Sequence, residues 1–108
     1  MKLKYTPAAI RDLQNMSSYI SDVLYNPAAA NRIKKNILKA CGSLKQQPMM
    51  GGSVKAKIGY ETDLRFLICE KHLIFYRIEE DEISVSRVID GKMDYARILF
   101  GDDFEENE

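Results

Sequence analysis

Tryptophan is absent from these 108 residues, and histidine occurs once, as His72. A single imidazole excludes acid–base chemistry run by a histidine pair. It also leaves no Ser/His/Asp or Cys/His set that does not hang on His72 alone. A lone histidine at a strand start beside a turn is expected to decorate the surface. The two cysteines, Cys41 and Cys69, belong to no Cys-x-x-Cys or Cys/His cluster with metal-ligand spacing. They are expected to be reduced thiols in or near the core, and no metal or cofactor is expected. Long apolar runs are missing too. Stretches such as Leu73 to Tyr76 fall far short of the roughly 20 residues that span a bilayer. The start, Met1-Lys2-Leu3-Lys4-Tyr5, has no apolar secretory core. The expected location is the cytoplasm, with no membrane partner.

Net charge is also missing, but only as a sum. The chain has 16 basic and 16 acidic residues. Residues 1–60 carry ten basic and two acidic side chains, a net of +8, and residues 61–108 carry six and fourteen, a net of −8. Such asymmetry fits one basic surface, suited to nucleic acid or an acidic protein, and one acidic surface or tail. It also fits two halves that neutralise each other in the fold. The hydrophobic fraction of 45% and the charged fraction of 30% are those of a folded domain, and the length allows one hydrophobic core.

Periodicity supplies the elements. Lys2 to Tyr5 alternates as a short strand. Thr6-Pro7 is a cap followed by proline at the first helical position. Ile10, Leu13, Met16, Ile20, Val23 and Leu24 then recur at helical spacing, giving a first helix to about Tyr25. Asn26-Pro27 repeats the signal and opens a second helix, with Ala30, Ile33, Ile37, Cys41 and Leu44 on one stripe. The short link makes an antiparallel helical hairpin. The second helix carries Arg32, Lys34, Lys35, Lys39 and Lys45 and no acid, so it is either a solvated face or a binding face. Gln46 to Ser53 breaks the pattern as a loop. Val54, Ala56 and Ile58 alternate with Lys55 and Lys57, which reads as a ragged edge strand. Three further strands form a meander: Leu64 to Cys69, His72 to Ile78 (apolar on both faces, hence central) and Ile83 to Asp90. Asp94 caps a last short helix through Leu99.

The expected fold is therefore α+β. A mainly antiparallel sheet carries an N-terminal helical hairpin on one face, in the order strand, helix, helix, strand, strand, strand, short helix. Residues 1–100 form one domain, and 101–108 form an acidic tail. The other sheet face must be lined by residues such as Arg65, Arg77 and Arg87, or be covered.

Four stretches in this order resemble the RelE/ParE family of type II toxins. They are Tyr5-Thr6-Pro7-Ala8-Ala9-Ile10-Arg11-Asp12-Leu13, Asn26-Pro27-Ala28-Ala29-Ala30-Asn31-Arg32-Ile33, Leu64-Arg65-Phe66-Leu67, and His72 to Ile78 continuing through Ile83 to Tyr95. The resemblance implies a toxin neutralised by a cognate antitoxin, with operator DNA contacted only through that antitoxin. The family divides between ribosome-dependent mRNA endonucleases and inhibitors of DNA gyrase. In the ribonuclease branch, cations stabilise the charge that grows on the scissile phosphate. Here the central-strand position for such a base falls on Leu73, the post-turn position on Met93 (beside Lys92), and the preceding-strand pair on Leu64 and Phe66. The late tyrosine falls on Leu99, with Tyr95 one turn earlier. The resemblance therefore favours the ParE-like, gyrase-directed branch, which has no catalytic constellation of its own. The expected target-binding surface is Arg65, Arg87, Lys92, Tyr95 and Arg97. If the chain is a ribonuclease, Lys92, Tyr95 and Arg97 are the catalytic candidates. The alternative for Arg65 and Arg87 is an ion pair with Asp90 or Asp94. The antitoxin is expected on the basic second helix (Arg32, Lys35, Lys39) and on the sheet edge at Lys55 and Lys57. A third reading is an inactive toxin kept as an antitoxin-binding protein.

Overall fold

Both proline-led helix starts form as their sequences dictate. Thr6 Oγ1 accepts from the Ala9 N–H at 3.1 Å, and Asn26 Oδ1 accepts from the Ala29 N–H at 3.0 Å. Each satisfies one of the orphan donors of a first helical turn. In the computed structural model, which describes residues 1–101, these caps open α1 (Pro7–Ser18) and α2 (Pro27–Ser43). The first helix does not run to Tyr25 as an α-helix. After Ser18 it widens into a π-helical turn, Tyr19–Val23. Tyr25 then takes a left-handed φ of 54° and reverses the chain into Asn26.

The sheet contains β1 (Lys2–Tyr5), β2 (Gly52–Ser53), β3 (Arg65–Cys69), β4 (His72–Glu79) and β5 (Glu82–Asp90), in the spatial order β1-β5-β4-β3-β2. The expected meander β3-β4-β5 is present and antiparallel. The first strand joins its far edge in parallel, Leu3 opposite Ile83 and Tyr5 opposite Val85. The charged tip between β4 and β5 holds this edge, with Lys4 Nζ 3.3 Å from Glu79 and 2.8 Å from Glu82. The partners move in opposite directions: hydrogen bonding to Glu82 and Glu79 raises the Lys4 pKa, and Lys4 lowers that of Glu82.

Val54–Ile58 is not an edge strand. It is a one-turn helix, α3. The i, i+2, i+4 spacing misleads because the residues flanking it are helix stops. Ser53 Oγ accepts from the Ala56 N–H, and Gly59, at φ 73°, closes the end with its N–H on Lys55 O. Val54 and Ile58 then share one face and bury, while Ala56 is exposed. The edge is β2 instead, paired to β3 through Gly52–Phe66 and Ser53–Arg65.

Two cores result. On one face, Ala9 and Leu13 of α1 and Ile37 and Cys41 of α2 pack on Ile74, Val85 and Val88. On the other, Leu73, Phe75 and Ile89 meet Val54, Leu64 and the side chains of Tyr95, Leu99 and Phe100. Three of these last come from α4 (Tyr95–Phe100), which Asp94 caps as expected. The second face is thus covered by α3 and α4 over Leu73, Phe75 and Ile89, while Arg77, two residues beyond Phe75 on the same face of β4, pairs with Asp63. The tail segment 102–108 lies outside the described residues.

Candidate functional site

The turn from β5 to α4, the π-helical turn and the β3–β4 turn converge on one groove of about 680 Å³. Its walls are mostly apolar. Met16, Ile20 and Leu24 come from the hairpin, Val88 from β5, and Met93 and Ile98 from the C-terminal segment. Leu24 and Met93 remain more than half exposed, at 54% and 55%. Polar groups sit at its margins, including Lys71, His72, Arg87 and Lys92.

Arg87 is fixed at the groove by α1. Its Nε and one terminal nitrogen donate to both Asp12 oxygens, at 2.7 and 2.9 Å, and the Val88 N–H donates to Asp12 as well. A bidentate, charge-assisted pair of this kind is about twice as strong as neutral hydrogen bonds. The bond to Asp12 pushes the Arg87 pKa further above its ordinary value. The β4–β5 register shifts here: Phe75 faces Arg87 and Tyr76 faces Val85, so Ser86 has no opposite residue. The Arg87 partner is Asp12, not Asp90 or Asp94. Asp94 pairs with Arg97 instead, at 3.2 Å on the surface.

Arg65 stands apart from this groove. Its guanidinium donates to the carbonyls of Met49 and Gly51. Tyr76 works beside it, donating its hydroxyl to Pro48 O at 2.7 Å and accepting from the Gly51 N–H at 3.2 Å. Together they clamp the loop that leads into β2, and among the described residues the buried Arg65 Nε has no hydrogen-bond partner. The five expected target-binding residues therefore do not form one patch. Arg87 and Lys92 share the groove, Tyr95 tilts its ring against Phe75 at 5.7 Å, Arg97 is exposed and Arg65 holds a loop.

His72 is not surface decoration. It is 9% exposed, with Nδ1 2.9 Å from Glu70 O, because the left-handed Glu70 and Lys71 (φ 54° and 66°) fold the chain back over it. Among the expected antitoxin contacts, Arg32 pairs with Glu70 at 3.3 Å, Lys55 pairs with Glu61, and Lys57 lies over the Phe66 ring. Lys35 and Lys39 are exposed on α2. Among the described residues, no group of three or more His, Cys, Asp or Glu side chains could hold a metal ion. Nor is any described helix long and apolar enough to cross a membrane.

Sequence reasoning missed Asp12, although it is one of two acids in the first 60 residues and therefore a natural partner for a cation. It also missed the groove. Met16, Leu24, Met93 and Ile98 are separate helical and turn positions that only the fold brings together.

The family model for the ParE toxin of type II toxin–antitoxin systems, parDE, matches residues 3–95. The chain belongs to the ParE toxin family. A solved chain from the chromosomal ParDE TA system of P. aeruginosa has the same fold, with a TM-score of 0.70 at 24% identity, covering 83% of this chain and 95% of that one. No curated protein matches. As a ParE-type toxin, this chain keeps the family's span from β1 to the start of α4. The groove and the Asp12–Arg87 pair both lie on that span, with Ile98 just beyond it.

Proposed function

We propose that this ParE-type toxin arrests growth by binding DNA gyrase, not by cutting RNA, and that a cognate antitoxin neutralises it. One observation carries the choice. Two of the positions where the ribonuclease branch sets cations hold core side chains: Leu73 and Leu64 are 6% and 4% exposed and pack with Phe75. A leucine there gives no charge to a developing phosphate dianion, and a lysine there would lose its solvation inside an apolar cluster. Of the remaining ribonuclease candidates, Tyr95 packs on Phe75 and Arg97 faces Asp94. Target recognition is assigned to the C-terminal surface around Lys92, Tyr95 and Arg97, with Arg87 at the adjoining groove; Arg65, which clamps the loop into β2, lies apart from it.

The antitoxin contact is assigned to the exposed basic face of α2, with Arg32, Lys35 and Lys39, and to α3 at the sheet edge, on the other face, with Lys55 and Lys57. An acidic, extended segment complements both.

The deciding experiment pairs two assays on the purified toxin, with and without its antitoxin. One follows supercoiling and DNA cleavage by gyrase, and the other follows mRNA cleavage on translating ribosomes. Antitoxin-reversible inhibition of gyrase with intact mRNA is the expected result. Codon-positioned mRNA cuts with normal supercoiling would overturn it in favour of Lys92, Tyr95 and Arg97 as catalytic groups. Growth without arrest on expression of the toxin alone would mark an inactive toxin.

A further inference from the structure

The groove is apolar inside and cationic at its rim, and an irregularity in the helical hairpin builds part of its wall. Met16, Ile20 and Leu24, spaced by four, all line it. The Leu24 N–H closes the π-helical turn on Tyr19 O at 3.1 Å, an i→i+5 bond of a kind frequent at functional sites. Between Asp12 and Arg32 the hairpin carries a single charge, Asp22, so its side of the groove offers almost no ion pairs. Three acids border the groove, and each is already engaged. Asp12 holds Arg87, Glu70 takes Arg32 and Asn36, and Asp90 Oδ1 accepts the Lys92 backbone N–H. The cations are available. Lys71 and Lys92 are exposed, and neither has an ion pair among the described residues. Arg87 gives Nε and Nη2 to Asp12, which leaves Nη1 without a partner among the described residues. His72 donates from Nδ1 to the Glu70 carbonyl, which leaves Nε2 as an acceptor, also unpartnered among the described residues.

One common way of taking a peptide is closed here. Val88 and Ile89 of β5 line the groove, but the backbone of β5 beside α1 is occupied. Ser86 O accepts from the Thr6 hydroxyl at 2.7 Å, and the Val88 N–H donates to Asp12 at 2.9 Å. A visiting strand finds no edge to pair with, so a partner must be held by its side chains, as a helix is held in a groove. We propose that the groove seats an amphipathic helix of the toxin's target, with apolar residues one turn apart against Leu24, Met93 and Ile98 and carboxylates beside Lys71 and Lys92. Continuity selects the target over the antitoxin. Lys92 belongs both to the groove rim and to the C-terminal surface assigned to target recognition, whereas the antitoxin contact is assigned to α2 and α3. The inference therefore rests on that assignment, with gyrase as the target. Leu24 and Met93 are the anchors, because both are more than half exposed and covering them removes apolar surface from water. The lysines steer the approach, and salt weakens that part.

The test uses the full chain, gyrase holoenzyme and the antitoxin. Leu24→Ser/Met93→Ser removes the apolar anchors, and Lys71→Glu/Lys92→Glu reverses the charge of the rim. All four side chains are exposed, so the fold is expected to survive, and thermal melts check it. Each double variant is expected to need about tenfold more toxin than the parent to inhibit supercoiling. Each is expected to bind antitoxin as tightly as the parent does. In the charge variant the difference from the parent is expected to shrink as salt rises. Parent-like inhibition by either folded variant would overturn the groove as the target's site and leave the gyrase reading standing. Parent-like inhibition together with lost antitoxin binding would overturn it in favour of the antitoxin. A parent toxin inert on gyrase would overturn the gyrase reading, and this inference with it.

Discussion

Asp12 and Arg87, 75 residues apart, are joined by two hydrogen bonds, and the same carboxylate accepts the Val88 N–H. Three donors therefore converge on one side chain of α1 at the point where β5 slips register. The pair ties the helical hairpin to the sheet beside the groove. Its side chains are 14% and 31% exposed, so solvent screens it only in part.

Asp12→Ala should destabilise the toxin by about 2–3 kcal/mol, because it strands a guanidinium and a backbone N–H that water reaches poorly. Arg97→Ala, which opens a surface pair with Asp94 at over half exposure on both sides, should cost no more than about 0.5 kcal/mol. Urea unfolding of both variants checks the contrast. Equal losses would mean that the Asp12 contacts are no better than a surface pair.

Two glycines should respond in opposite directions. A Cβ on Gly51 would stand 2.3 Å from Phe66 O and 2.7 Å from the Tyr76 hydroxyl oxygen, so Gly51→Ala must break the loop clamp. A loss of about 2–3 kcal/mol is expected, the range of overpacking with a broken hydrogen bond. Gly42 lies in α2 with nothing within 4 Å of its Cβ position, so Gly42→Ala should stabilise by about 0.5–1 kcal/mol. Thermal melts of the two variants should move to opposite sides of the parent.

Alkaline pH should unfold the toxin through Cys41. Burial raises this thiol from 9.0 to about 11, and burial also raises Tyr5 beside it. Below pH 9 the thiol is protonated in both states and stability is flat. Above it the unfolded thiol ionises first, so stability falls as pH rises toward 11, by about 2–3 kcal/mol from Cys41. Cys41→Ala should flatten that slope, leaving the part owed to Tyr5. A slope unchanged in Cys41→Ala would remove the thiol as its cause. Thiol labelling at neutral pH should modify Cys69, which is partly exposed, well before the buried Cys41.

Antitoxin association should be steered by α2. The triple variant Arg32→Ala/Lys35→Ala/Lys39→Ala is expected to slow association by about tenfold and to flatten its dependence on salt, with a smaller effect on dissociation. Stopped-flow mixing across a salt series measures this. Association rates equal to the parent's at every salt concentration would place the contact elsewhere.

Much of this architecture was legible because its causes are local. Thr6-Pro7 and Asn26-Pro27 cap and start helices whatever surrounds them, the two-faced apolar strand from His72 has to be central, and Asp94 caps the last helix. Val54–Ile58 was misread because five residues are too few for a period to speak, and the decision lay with Ser53 and Gly59 at its ends. His72 looked exposed because a strand start gives no sign of the left-handed turn that buries it.

By itself, then, the sequence determined the order of elements, the helical hairpin, the meander and the membership of a toxin family, since each rests on caps, periods and motifs within a few residues. Only the tertiary structure decided which charges are occupied and which are free. Arg87 meets Asp12, Arg65 meets two carbonyls, and Leu73 and Leu64 sit inside a core. Those outcomes depend on side chains brought together from distant parts of the chain by hydrophobic burial, which is non-directional and leaves no spacing in the sequence to read.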